Sequence, residues 1–288
     1  MKSKKLIIII GESTGFQCFK NIIELKCFKI AMVVSTDKNY HNAIKNICKI
    51  NRIKFLNFYK FKKKIITFSN KNQKLFLISI FSNLILNKSF LKNFGKSCFN
   101  LHPGILPYYP GKNCVSGVLY NNEKKTGVSL HYITERVDQG AIIKQKKIKI
   151  SDNDNLLTIM AKLKKCSVKL IDKFIKDLFK NKKINSLENK IYLKKKYPKI
   201  IPNNGSINLN TNYSEFRNLF RASYFGPFNN TWGKLNFFYK KKKKIILDII
   251  KIKNISKNIL SRKIFVKKIS KDKFNLNIQN KVVTVLVK

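Results

Sequence analysis

Residues 6–26 read LIIIIGESTGFQCFKNIIELK. Leu6 to Ile10 is an unbroken apolar run that ends in a glycine-containing turn, GESTG, and from Phe16 to Lys26 the apolar residues recur at helical spacing. A strand buried on both faces and leading straight into a crossover helix has this pattern, because the helices that connect parallel strands cover both sides of the sheet. The alternation continues with strand Lys29 to Ser35, helix Tyr40 to Ile50, strand Ile53 to Phe58, a lysine-rich connection, strand Leu75 to Ile80 and strand Ser97 to His102. The expected fold is α/β, a Rossmann-like, mostly parallel sheet with helices on both faces.

Further along, Asn113 to Tyr120 suits a short helix, and Gly127 to Thr134 and Ile142 to Ile150 suit strands. With Asp152 or Asp154 as cap, Leu156, Ile159, Met160, Leu163, Leu170, Phe174 and Leu178 fall on one face of a long amphipathic helix. Residues 183–205 are polar, basic and broken by Pro198 and Pro202, the composition of a linker. Ser214 can cap a short helix through Ala222, after which strands Leu235 to Tyr239, Ile245 to Ile252, Lys263 to Ile269, Phe274 to Ile278 and Val282 to Val287 follow without helices between them. That succession predicts a small β-rich, OB-like C-terminal domain. The domain organisation is thus 1–182, a linker over 183–205, and 206–288.

The formal charge of +47 points, taken alone, to nucleic acid or another anionic surface. Yet only Arg52, Arg136, Arg217, Arg221 and Arg262 are arginines, and the lysines sit in a chain equally rich in Asn and Ile, which is what an AT-biased genome writes into neutral surface positions. Lys240 to Lys244 lie between two alternating apolar runs and read as a solvated hairpin turn. The six cysteines form no CxxC pair and no zinc-like spacing, so no metal is expected and a reducing cytoplasm is the simplest compartment. The opening MKSKKLIIIIG imitates a signal peptide, but its apolar run is too short for one, and no other run approaches a membrane span.

Chemistry concentrates in FNLHPGILPYYPG, residues 99–111. Side chains two apart share one face of a strand, so Asn100 and His102 point together out of the strand end, where ligands of parallel sheets bind. Three prolines and two glycines then make a rigid loop. Histidine moves protons near neutral pH, a carboxylate such as Asp138 in VDQG can orient it, and the Asn amide can stabilise an oxyanion. These parts suit acyl-type transfer without a protein nucleophile. His41 and His131 are read as ordinary structural histidines, and Cys98 as a buried, unreactive one.

NLHPGILPYYPG, followed by KKTGVSLHYITERVDQGAII at 124–143, resembles the signature of the folate-dependent formyltransferases. That family includes glycinamide ribonucleotide, methionyl-tRNA and nucleotide-sugar formyltransferases and formyltetrahydrofolate deformylase. The resemblance implies that 10-formyltetrahydrofolate is the formyl donor and a primary amine the acceptor. It makes Asn100 the group that polarises the formyl oxygen, His102 the proton shuttle and Asp138 its orienting carboxylate, with Gly140 as the glycine of the turn. Leu84, Ile85 and Leu86 match the segment whose backbone lines the pterin pocket. Residues 197–238 resemble the start of the C-terminal domain of longer members, Arg221, Ala222, Gly226 and Pro227 fitting its Arg-Ala helix end and Pro-Gly turn.

For the acceptor, the loop PGILPYYPGKN lacks the Arg and Ala-Ala-Pro of methionyl-tRNA enzymes and is closer to the form found where the acceptor is an amino sugar or another small amine. Charge favours tRNA and the loop favours a nucleotide-linked amino sugar. A basic nucleic-acid-binding protein without enzymatic activity is the third reading.

Overall fold

The computed structural model describes residues 4–57, 61, 75–208, 210–255 and 264–288. Phe58, at the end of the expected third strand, the lysine-rich connection after it apart from Phe61, and Arg262 and Lys263 lie outside the described residues. The chain divides into two compact units. One comprises Met1–Lys112, Lys125–Ile148 and Ala161–Lys195, the other Asn113–Lys124, Lys149–Met160 and Lys196–Lys288.

The first unit is built on a seven-stranded sheet. Its strands are β1 (Lys5–Ile10), β2 (Lys29–Ser35), β3 (Lys54–Asn57), β4 (Leu75–Ile80), β5 (Cys98–His102), β6 (Lys125–Tyr132) and β7 (Ile142–Lys149), in the order β3-β2-β1-β4-β5-β6-β7. From β3 to β5 every neighbouring pair is parallel, whereas β6 runs antiparallel to β5. Alternate residues of β1 serve opposite faces. Ile7 and Ile9 pack with Met32, Val34, Leu77 and Cys98, and with Phe90 and Phe94 from and beside α3 (Lys88–Lys92). On the other face Gly15 of α1 (Glu12–Glu24) abuts Ile10. There, too, Phe99 stacks edge-on against Phe174 of the long helix α5 (Leu156–Phe179) at 4.9 Å. Each such fully buried aliphatic or aromatic side chain is worth roughly 1.5–3 kcal/mol. The second connection carries helix α2 (His41–Ile50), which turns Ile44 and Cys48 inward.

The second unit holds α4 (Cys114–Tyr120), the first turn of α5, α6 (Tyr213–Ser223) and a five-stranded antiparallel sheet. That sheet has β8 (Asn236–Tyr239), β9 (Lys242–Asn254), β10 (Phe265–Lys268), β11 (Lys273–Ile278) and β12 (Lys281–Val287) in the order β10-β11-β12-β9-β8. Phe274, Leu276, Ile278, Val283, Val285 and Val287 form its buried face at period two. Of the lysine run only Lys240 and Lys241 make the turn, both at positive φ (47° and 61°), while Lys242 to Lys244 belong to β9. Arg221 on α6 donates through Nε to the Asp154 carbonyl (2.6 Å) and through Nη2 to that of Ser151 (2.9 Å), fixing the turn before α5.

Two caps differ from the sequence expectation. α5 is capped by Asn155 rather than Asp152 or Asp154: its Oδ1 accepts from Thr158 N–H (3.1 Å) while its own N–H donates to Thr158 Oγ1 (3.0 Å). α6 is capped by Asn212 rather than Ser214, with Oδ1 accepting from Glu215 N–H at 2.8 Å. In each case the residue immediately before the first helical one supplies the oxygen, because only there does the side chain reach the free N–H groups of the first turn. Among the described residues no helix is long and apolar enough to cross a membrane.

Candidate active site

β5 and β6 bring the polar residues of the first unit together by register. Asn100 lies directly opposite His131, and His102 opposite Ser129. Directly opposed residues of an antiparallel pair project from the same face, so two two-residue spacings, Asn-x-His and Ser-x-His, make one four-residue patch. Asp138 approaches it from the turn after β6. Its Oδ2 lies 3.3 Å from His102 Nδ1 and its Oδ1 3.5 Å from His131 Nε2. Both rings and the carboxylate are buried.

His102 Nε2 lies 2.7 Å from the Tyr109 carbonyl, so both ring nitrogens face acceptors and a ring protonated on both satisfies both. The proline-rich loop can fold this closely over the imidazole because residue 104 is glycine. A Cβ there would stand 2.7 Å from the Tyr109 oxygen and 2.8 Å from His102 Nε2. Ser129 Oγ ties the loop to β6, donating to the Gly104 carbonyl (2.6 Å) and accepting from the Leu106 N–H (3.0 Å). Gln145 Nε2 of β7 donates to both Ser129 Oγ (2.8 Å) and the Leu106 carbonyl (2.7 Å).

His131 Nδ1 faces the Tyr132 carbonyl at 2.8 Å, and its Nε2 lies 3.0 Å from Asn100 Nδ2. With the Nδ1 proton committed to that carbonyl, Nε2 of a neutral ring accepts one amide proton of Asn100 and leaves the other free. His131 is therefore not the isolated structural histidine that its strand position suggested. It belongs to the patch, and the signal for it was the matched spacing of polar residues in β5 and β6.

Burial alone would raise the Asp138 carboxyl. The positive charge of His102, the Nε2–H and charge that His131 presents when its ring is protonated, and the Gly111 N–H, which donates at 2.7 Å, outweigh it and hold the group well below the usual carboxylate range. Cys98, on the same strand two residues before Asn100, is inert for the opposite reason: burial pushes its thiol up to about 12.

The arrangement thus offers a polarising amide, a proton carrier and a fixed carboxylate, with no nucleophile among them. Gly140 lies under the Asp138 turn, where a Cβ would come within 1.8 Å of the Tyr132 oxygen. Leu84, Ile85 and Leu86 run between β4 and α3: Leu86 is 6% exposed and sits in the core, Leu84 packs at its edge, and Ile85 is 63% exposed.

Comparison with known families gives a match to Formyl transferase over residues 6–175, more than half of the chain. The chain belongs to the formyl transferase family. Formyl transferase relatives include the bifunctional polymyxin resistance protein ArnA of Wigglesworthia glossinidia brevipalpis, 33% identical over 186 residues, 62% of this chain and 28% of that protein. The GDP-perosamine N-formyltransferase of Brucella melitensis biotype 1 is 29% identical over 131 residues, 46% of this chain and 51% of that protein. The chain thus spans about half or less of the length of these relatives. Among solved structures, the N-formyltransferase from Helicobacter canadensis in complex with folinic acid and dTDP-3-aminofucose has a TM-score of 0.72 at 19% identity, covering 98% of both chains. The likeness extends over both the mostly parallel sheet and the antiparallel C-terminal sheet and is one of fold.

Proposed function

We propose that this formyl transferase moves a formyl group from 10-formyltetrahydrofolate to the primary amine of a nucleotide-linked amino sugar. The observation that carries the reading is the convergence of Asn100, His102, His131 and Asp138 on one face of the β5–β6 pair. In the step this supports, the acceptor nitrogen attacks the formyl carbon and the new C–N bond forms. The free Asn100 N–H stabilises the oxyanion as it develops. His102, charged at the outset, delivers its proton to N10 of the folate as the C–N10 bond breaks and regains one from the attached amine. Asp138 holds the ring in place through both transfers.

The backbone of Leu84 to Leu86, with the two leucines turned inward, suits the edge of a folate pocket. The choice of amino sugar is supported by the loop PGILPYYPG, which lacks the Arg and Ala-Ala-Pro of tRNA enzymes, and by the substrates named for the Brucella and Helicobacter relatives. Six free cysteines accord with a cytoplasmic setting.

A second reading, formylation of methionyl-tRNA, draws on the +47 charge and predicts tRNA affinity that falls steeply with salt. The deciding experiment incubates the protein with 10-formyltetrahydrofolate, a panel of aminodeoxy sugar nucleotides and methionyl-tRNA, and reads the products by mass. A formylated sugar nucleotide is the expected result. Formylation of methionyl-tRNA alone, or of nothing, overturns the proposal.

A further inference from the structure

The polar segment after α5 returns to the catalytic turn. Leu187 and Ile142 exchange backbone hydrogen bonds, each N–H donating to the other's carbonyl at 2.8 Å. Two residues on, Asn189 Nδ2 donates to the carbonyls of Asp138 (2.8 Å) and Gly140 (3.1 Å). From the other side, Tyr132 N–H donates to the Ala141 carbonyl at 3.0 Å. The turn is held along both edges.

Asp138 needs this support. Its φ of 54° lies in the left-handed region, which disfavours a residue with a side chain and persists only where the surroundings over-determine it. Its carbonyl is drawn towards Asn189 and its carboxylate towards Gly111, His102 and His131. Both groups hang on one Cα, so fixing the direction of the carbonyl restricts where the carboxylate can point. The amide of Asn189 cannot be turned over, since that would set its oxygen against two carbonyls. In the orientation it holds, Asn189 Oδ1 is buried without a hydrogen-bond partner among the described residues. A buried acceptor left without a partner is destabilising, so the two bonds made by Nδ2 are kept at the expense of stability.

We infer that Asn189 is a positioning residue of the active site, its amide aiming the Asp138 carboxylate at His102 and His131 by holding the carbonyls of Asp138 and Gly140. The inference rests on the formyl-transfer reading of that site. It makes Asn189 act through Asp138 and not on substrate, so its removal lowers turnover and leaves binding alone.

The test compares Asn189→Ala and Asn189→Gln with the wild-type chain. The measurements are kcat, KM for donor and for amine, thermal stability, and the titration of the Asp138 carboxyl followed by carbon NMR. Asn189→Ala is expected to lower kcat roughly 10- to 100-fold, the effect of a small misplacement, with both KM values within about threefold. The Asp138 titration should move up towards the ordinary carboxylate range. Asn189→Gln, which keeps a donor on a longer arm, should recover part of both effects, and it carries the comparison should the alanine variant fail to fold. A lowered melting temperature with wild-type kcat and an unmoved Asp138 titration overturns the inference. Should the wild-type protein formylate no amine, the functional reading fails, and the Asp138 titration alone still decides whether Asn189 positions that carboxylate.

Discussion

Asn100 and His131 are direct partners in the register of β5 and β6, and their side chains meet at 3.0 Å. The contact divides the two amide protons of Asn100 between a fixed protein acceptor and the open face of the strand. An amide that must stabilise an oxyanion is useful only if its free N–H points one way, and a cross-strand histidine sets that direction without occupying the site. Replacing His131 by Phe keeps the ring volume and removes the acceptor. The expected outcome is a fall in kcat of about 10-fold or more, less than the 100- to 1000-fold typical of deleting an oxyanion donor outright, which Asn100→Ala should show. Steady-state kinetics of the two variants checks the order. Equal or inverted losses would show that His131 does not act through Asn100.

The second prediction concerns pH. Asp138 is held below the ordinary carboxylate range in the folded chain, chiefly against burial, by the charge of His102 and by His131 and Gly111. A carboxyl whose folded pKa is depressed contributes stability that is fully present above its unfolded value, near 4, and is lost as pH falls through the folded value. Asp138→Asn should therefore lower stability at pH 7 by something on the order of 2–3 kcal/mol, and the gap between variant and wild type should narrow progressively as pH falls below about 4. Urea denaturation across that range measures it. A gap that does not vary with pH would show that the carboxylate charge is not what the variant removes.

These residues also show what could be read without coordinates. β2 and β4 fall on the residues expected for them, because a strand buried on both faces writes a mostly apolar run without period-two alternation. Asn100, His102 and Asp138 were legible through the motif around them. His131 was not: its partner lies 31 residues away in sequence, and a period-two pattern places a side chain on a face without saying what stands across from it. The helix caps slipped for a related reason. Asp152, Asp154 and Asn155 are all competent caps, and only the position of the first helical N–H groups chooses among them. Asn189 lies in a segment whose composition is that of a linker, and its role depends on two carbonyls, about which side-chain chemistry carries no information.

The third prediction tests the hairpin between β8 and β9. Asn236 to Tyr239 pair with Ile245 to Lys242, leaving Lys240 and Lys241 as a two-residue loop with both φ angles positive. Such a loop matches the twist of the strands but strains any residue with a Cβ, which is why Asn-Gly is the favoured pair. Replacing Lys240-Lys241 by Asn-Gly should stabilise the chain by about 1 kcal/mol and also removes two like charges from one turn. A rise in melting temperature that persists in high salt attributes the gain to backbone conformation. A rise that disappears in salt attributes it to charge.

The fourth prediction separates two glycines that the site needs for different reasons. At Gly140 an added Cβ would meet the Tyr132 carbonyl oxygen at 1.8 Å and its carbon at 2.7 Å, a backbone group that cannot swing aside as a side-chain end can. At Gly104 the closest atoms are the Tyr109 oxygen at 2.7 Å and His102 Nε2 at 2.8 Å, and the second is the end of a side chain, which can give way where backbone cannot. Gly140→Ala should therefore act first on folding, costing about 3 kcal/mol or more, at the upper end of what overpacking produces, with little soluble protein recovered. Gly104→Ala should fold with a loss nearer 1 kcal/mol but release His102 from the Tyr109 carbonyl, so that kcat changes while the melting temperature hardly moves. Circular dichroism melts beside steady-state kinetics distinguish the two. If the alanine at 104 lowers stability as much as the one at 140, the loop is as rigidly held as the turn, and the contact between His102 and Tyr109 is a fixed part of the fold and not an adjustable one.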